Sequence, residues 1–147
     1  MHEIFLSCLY SLAACLGFCL VYNLRGLKML FASLGGALGW LVYLLCAGLQ
    51  NDIMQFFLAT IALSIYAEIM ARIHKTPVMV FLIIALLPLV PGSGIYYTME
   101  YAINGDTAAF METGLHTLAI AGSLALGILL VSSLVRLVIK VRQHALA

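Results

Sequence analysis

Charge is what this chain has least of. Asp, Glu, Lys and Arg make up 9% of its 147 residues and apolar residues 65%, whereas an average soluble domain carries about 25% charged residues. A water-soluble globule is excluded. The chain reads as an all-α integral membrane protein, a single membrane domain over residues 1–147 with room for about four to six helices of the roughly 20 residues a bilayer core requires. The net charge is only +1, so no basic footprint suits a nucleic acid. Phosphate-binding glycine loops, nucleophile elbows and paired-cysteine metal motifs are all missing. No catalytic residue, cofactor or metal is therefore expected, and the chain is not read as an enzyme.

The cysteines are few and unaccompanied. Cys8, Cys15 and Cys19 share one face of the first apolar run and Cys46 lies in the second, with no histidine or second cysteine pair beside them, so they read as small soft hydrophobes in packing. Leu12-Ala13-Ala14-Cys15 looks like a lipoprotein cleavage box. No Lys or Arg precedes the run, however, and the run continues past Cys15, so residues 1–22 are expected to remain as a span.

Charge-free runs and turn residues mark five spans, at about residues 4–22, 29–49, 53–71, 78–104 and 114–140. The interruptions are Asn23 to Lys28, Gln50-Asn51-Asp52, Arg72 to Pro77, and Asn104-Gly105-Asp106, the last supplying a terminating glycine and then a capping aspartate. Lys and Arg occur in three clusters: Arg25 and Lys28; Arg72 and Lys75; Arg136, Lys140 and Arg142. Five spans put all three on one side, so the N-terminus is expected outside and the C-terminus in the cytoplasm. A re-entrant segment at 78–104 would send the last cluster to the other side.

Proline is scarce too, and two of the three stand together in Pro88-Leu89-Val90-Pro91-Gly92-Ser93-Gly94, at the centre of the fourth span. Both lack an N–H and clash with the carbonyls of Ile84 and Leu87, which breaks the helical ladder, and Gly92 and Gly94 permit unusual backbone. In hydrocarbon, irregular backbone survives only where protein buries it or where it lines a polar cavity, and transporters bind substrate at such places. A half-helix starting near Gly94 would aim its N–H groups and positive dipole end at a carboxylate, with Ser93 as cap or ligand. The freed carbonyls would receive an ammonium or a coupling cation. Tyr96 and Tyr97 add hydroxyls and ring faces nearby. Pro88, Pro91, Gly92, Ser93, Gly94, Tyr96 and Tyr97 are thus the candidate substrate-binding residues, against a purely structural kink as the plainer alternative.

Few ionisable groups are candidates for proton coupling. Glu100, one turn beyond Tyr96, is one, unless it sits at the outer interface. Glu68 precedes Arg72 by four residues, the favourable order for a helical ion pair. Glu112 and His116 have the same spacing and, lacking a third ligand, read as a surface pair rather than a metal site. Small residues mark faces of close helix approach: Gly35 and Gly39, with Ala32 and Gly36, on the second span, and Ala119, Ser123 and Gly127 on the fifth. Either face would serve packing inside the subunit, a second membrane subunit, or a homo-oligomer.

The run from Pro77 to Met99, with its Pro-Leu-Val-Pro-Gly-Ser-Gly-Ile-Tyr-Tyr centre, resembles the proline-glycine-tyrosine signature in the C-terminal membrane half of the threonine/serine exporter family. The five-span layout and the glycine-rich second span are similar as well. The resemblance implies a small, split subunit in the bacterial inner membrane, partnered by a larger membrane subunit that carries the N-terminal half. It implies export of small amino acids such as threonine and serine on the proton gradient, or of a dicarboxylate such as succinate in some split pairs. A membrane scaffold that does not itself transport is the rival from another class.

The charge pattern makes a testable topology. Cysteine probes at Asn51 or Asp106 are expected to label from outside the cell, and probes at Gly26 or His74 are not; outside labelling at position 74 would overturn the five-span arrangement.

Overall fold

The computed structural model describes residues 2–145, and every regular element in it is helical. The helices are α1 (His2–Val21), α2 (Leu27–Leu45), α3 (Asp52–Ile73), α4 (Val78–Leu86), α5 (Gly92–Asn104) and α6 (Thr107–Ala145), with single 3₁₀ turns at Cys46–Leu49 and Leu87–Leu89. By length and composition four helices can cross a membrane, and α4 with α5 make a fifth, bent crossing. Helix α6 starts earlier and ends later than the expected 114–140, because Asp106 caps it well before the apolar run begins.

Local chemistry places the ends. α1, α3 and α5 each close with the same paired bonds, one N–H reaching back five residues and the previous N–H three: Leu24 to Cys19 (2.8 Å) and Asn23 to Leu20 (3.1 Å), Thr76 to Ala71 (2.9 Å) and Lys75 to Arg72 (3.3 Å), Asp106 to Tyr101 (3.1 Å) and Gly105 to Ala102 (3.3 Å). The left-handed residue this needs is Asn23, Lys75 or Gly105, and the bonds satisfy carbonyls the helix leaves orphaned. Asn51 Oδ1 accepts the Met54 N–H at 3.3 Å to open α3, and Asp106 Oδ1 accepts the Ala109 N–H at 3.1 Å to open α6. The expected capping by Asp106 is what the structure contains. So is the Glu68–Arg72 pair, at 3.5 Å.

α1 to α4 pack around α2, and the small-residue face of α2 explains why they can. Ala32, Ser33, Gly35, Gly36 and Gly39 are all buried. Gly35 lies against Tyr66 and Ala85, Gly36 against Cys15 and Pro88, and Gly39 against Leu63 and Leu89. This face is filled by the chain's own helices, so it is not left for a partner. On α6, Ser123 and Gly127 face α3, where Gly127 meets Thr60, whereas Ala119 is exposed and does not belong to that face. Cys15 and Cys19 are fully buried in the same core.

Helix directions follow from the contacts. α2 runs against α1 (Ser11 Oγ donates to Gly36 O, 3.1 Å) and α3 against α2 (Tyr66 Oη donates to Phe31 O, 2.7 Å). α4 runs against α3, with the His74 and Phe81 rings 5.7 Å apart at its start and Leu63 and Leu89 together further on. α6 runs parallel to α3, since His116 meets Asp52 and Gly127 meets Thr60. α5 runs against α6, Gly94 facing Thr117 and Thr98 facing Gly114. Consequently α4 and α5 advance in one sense with a bend of 54°, a broken helix rather than one that turns back. Arg136 and Lys140 come to the same end of the bundle as Arg25, Lys28, Arg72 and Lys75.

The register leaves an overhang. Gly94 lies level with the start of α3, so the rest of α5 and the first turns of α6 project beyond the four-helix bundle, by about 15 Å along α5 at 1.5 Å per residue. α5 packs mainly on α6 and buries none of its residues.

Gly36→Ala would drive a methyl into Cys15 Sγ. It is expected to cost about 1–3 kcal/mol by overpacking, whereas Gly17→Ala, with nothing within 4 Å of the new methyl, should be neutral or stabilising by up to about 1 kcal/mol. Denaturant unfolding in detergent measures both, and adding Cys15→Ala should recover most of the Gly36→Ala loss.

Candidate site at the helix break

Two prolines build the break. Pro88 sits in the 3₁₀ turn Leu87–Leu89, Val90 is extended (φ −63°, ψ 127°), and Pro91 (φ −75°, ψ 61°) is the centre of an inverse γ-turn closed by the Gly92 N–H to Val90 O at 2.7 Å. α5 then starts at Gly92, two residues before the expected Gly94, with Pro91 in the cap position and no side-chain cap, so Ser93 does not cap it. The N–H groups of Ser93 and Gly94 have no acceptor among the described residues, and the first helical bond is Ile95 N–H to Pro91 O at 3.1 Å.

The carbonyls behave differently from expectation. Ile84 O, deprived of a partner by Pro88, accepts from the Leu87 N–H and from Cys15 Sγ at 3.4 Å, and Leu87 O, deprived by Pro91, accepts the Val90 N–H at 3.3 Å. Both are satisfied internally, so neither is a free acceptor for an ammonium. The glycines also serve other ends than expected. Neither has a positive φ; Gly92 faces open space, and Gly94 lets α5 approach Thr117 so closely that a methyl there would overlap its Oγ1.

The break forms one wall of a cavity of about 490 Å³. Pro88, Pro91, Gly92, Ser93 and Gly94 line it, while Tyr96, Tyr97 and Glu100 do not. Those three lie exposed on the overhanging part of α5, Tyr96 and Tyr97 edge to face at 5.4 Å. The structure brings together instead Trp40 and Tyr43 of α2, Asp52 and Phe56 of α3, and Thr113, His116, Thr117 and Ile120 of α6. Trp40 stacks on Tyr43 at 5.2 Å and Tyr43 leans on Phe56 at 4.7 Å, an aromatic wall facing the break.

Asp52 and His116 stand at the rim, where α3 begins. Asp52 Oδ1 accepts the Ile53 N–H at 2.9 Å, and Oδ2 lies 2.9 Å from His116 Nε2. Each side chain is about half exposed, 43% and 49%. His116 therefore pairs across helices with Asp52 and not along its own helix with Glu112. Sequence spacing could not reveal this, because the partner is distant in the chain; the available signal was a histidine and a carboxylate at the edges of two apolar runs. No group of three or more metal-ligating side chains occurs among the described residues.

The family model described as Threonine/Serine exporter, ThrE, matches residues 7–134 of this chain. No curated protein and no solved structure matches it.

The two glycines of the break should separate cleanly by mutation. Gly94→Ala is expected to force α5 off α6 and lower thermal stability by about 1–3 kcal/mol through overpacking, while Gly92→Ala should change it by less than about 0.5 kcal/mol, the usual range for exposed substitutions. Equal effects of the two would refute the close Gly94–Thr117 approach.

Proposed function

The chain belongs to the threonine/serine exporter family, a family of membrane transporters, and on that premise we propose that it is one subunit of a secondary exporter whose substrate path runs through the broken helix. The observation that carries this reading is the cavity itself. Its wall offers the two unpartnered N–H groups of Ser93 and Gly94 at the positive end of α5, and its rim carries the carboxylate of Asp52. A zwitterionic amino acid matches both, carboxylate to the N–H groups and ammonium to Asp52. About 490 Å³ falls within the usual size of small-molecule sites, roughly 300–1,000 Å³.

Pro88, Pro91 and Gly92 would shape this site, and Tyr96 and Tyr97 would supply ring faces along the exit beyond its rim. Asp52 argues for small amino acids such as threonine and serine over a dicarboxylate, whose second charge it would repel. Since six Lys and Arg residues lie at the opposite end of the bundle from Asp52, that basic end is assigned to the cytoplasm and the cavity rim, like the N-terminus, to the outside of a bacterial inner membrane.

A larger membrane subunit carrying the N-terminal half is the proposed partner, and the proton gradient the proposed drive. Support for a partner comes from α5, which packs mainly on α6 and leaves Tyr96, Tyr97, Met99 and Ile103 exposed. A homo-oligomer would cover part of the same surface.

Replacing Pro91 and Gly92 together with alanine restores an N–H and favours continuous helix, which would close the cavity wall. Insertion should be normal and threonine export should fall at least about tenfold, the loss expected when a site is misplaced by an ångström. Unchanged export, measured as threonine efflux from loaded cells, would favour a scaffold that does not transport.

A further inference from the structure

Asp52 has one oxygen committed to its own helix and one committed to His116. Oδ1 accepts the Ile53 N–H at 2.9 Å, which holds the carboxylate in place, and Oδ2 faces His116 Nε2 at 2.9 Å across the rim of the cavity. Asp52 lines the same cavity as the aromatic wall of Tyr43 and Phe56, where an ammonium entering it would arrive.

Among the described residues, no other charged side chain lines the cavity beside the pair. From α2 only the phenol of Tyr43 faces it, and α3 brings Asp52 alone. α5 meets α6 at this level through Gly94 and Thr98, which do not titrate. Glu112 on α6 and Glu100 on α5 are exposed and do not line the cavity.

From this geometry we infer that Asp52 is a single anionic seat occupied alternately by protonated His116 and by the ammonium of the substrate. The two cations compete for one oxygen, because seating both at contact distance from Oδ2 would put like charges side by side. A proton taken up by the imidazole from the outer phase draws His116 onto Asp52 and expels the ammonium. Loss of that proton to the cytoplasm, once access has changed, frees Asp52 for the next substrate. One proton moves inward for each ammonium moved outward, and no covalent bond changes. This rests on the exporter reading and assigns the ammonium seat of the same cavity to Asp52 and its proton-driven release to His116.

The test uses everted vesicles from cells producing the full chain in its native membrane, so that any partner is present, with labelled L-threonine as probe. Uptake is measured as threonine–threonine exchange without a pH gradient and as net uptake with an acidic lumen. His116→Gln should lose at least about tenfold of the pH-driven uptake and a smaller share of the exchange, and Asp52→Asn should lose both, as expected for truncating one member of a close charge pair. A parallel measurement follows the ¹⁵N-histidine signals of the chain in nanodiscs formed directly from the same membranes, so that any partner stays bound, with His116 assigned by its loss in His116→Gln. At a fixed pH near the midpoint of His116, threonine should shift its signal toward the neutral imidazole in the wild type and leave it unmoved in Asp52→Asn.

Alternate occupancy is overturned if His116→Gln retains pH-driven uptake, including the case in which Glu100→Gln alone abolishes it. Exchange surviving in Asp52→Asn overturns it, as does loss of exchange in both His116→Gln and His116→Asn. A wild-type His116 signal indifferent to threonine overturns it whatever the vesicles do. If wild-type vesicles carry neither threonine nor serine while the His116 signal still responds, the exporter reading falls and the shared seat stands.

Discussion

Backbone groups in hydrocarbon must find partners within the protein, and the consequences of that requirement organise this structure. Pro88 and Pro91 remove two donors in the middle of a span, yet the carbonyls they strand are met by the Leu87 N–H, the Val90 N–H and the thiol of Cys15. The thiol looked like a passive filler in a helix with several cysteines. Its position against Ile84 O makes it part of the repair of the break. What the repair does not cover is the start of α5, where the Ser93 and Gly94 N–H groups remain without acceptors. Both residues line the cavity, where a polar ligand or water can reach these N–H groups.

Close helix approach is the second condition. With Gly35, Gly36 and Gly39 on α2, the helices α1, α3 and α4 come near enough for methyl-scale contacts to set their register. The register in turn fixes depth. Leu89 locks against Gly39 and Leu63, so the break begins near the middle of the bundle and ends at the level where α3 starts. Gly127 against Thr60 does the same for α6 and carries His116 to Asp52. A one-turn slip of α6 would move His116 by about 5.4 Å and separate the pair.

The overhang of α5 and early α6 follows from that register as well. The bundle of α1 to α4 and the body of α6, with the hairpin of α5 and early α6 standing past one end, leaves Tyr96, Tyr97, Met99 and Ile103 uncovered on a helix that packs mainly on α6. The proposed partner subunit, seated on this surface, would stand beside the mouth of the cavity.

By itself the sequence determined the class of protein, the number of apolar runs, the positions of their ends and the existence of the break. These depend on composition and on local backbone chemistry: an apolar run of about 20 residues, Asn51 and Asp106 offering oxygens to nearby N–H groups, two prolines that cannot donate. The resemblance carried by residues 77–99 was legible for the same reason, being contiguous. Only the tertiary structure decided which groups share the cavity. It left Tyr96, Tyr97 and Glu100 on the overhang, turned Ser93 from a cap into part of a wall, satisfied the carbonyls expected to be free, and took His116 from Glu112 and gave it to Asp52. Spacing along one helix predicts neighbours on that helix; it is silent on a partner brought across from another, because that meeting depends on the register of whole helices, set here by glycine contacts far from the pair itself.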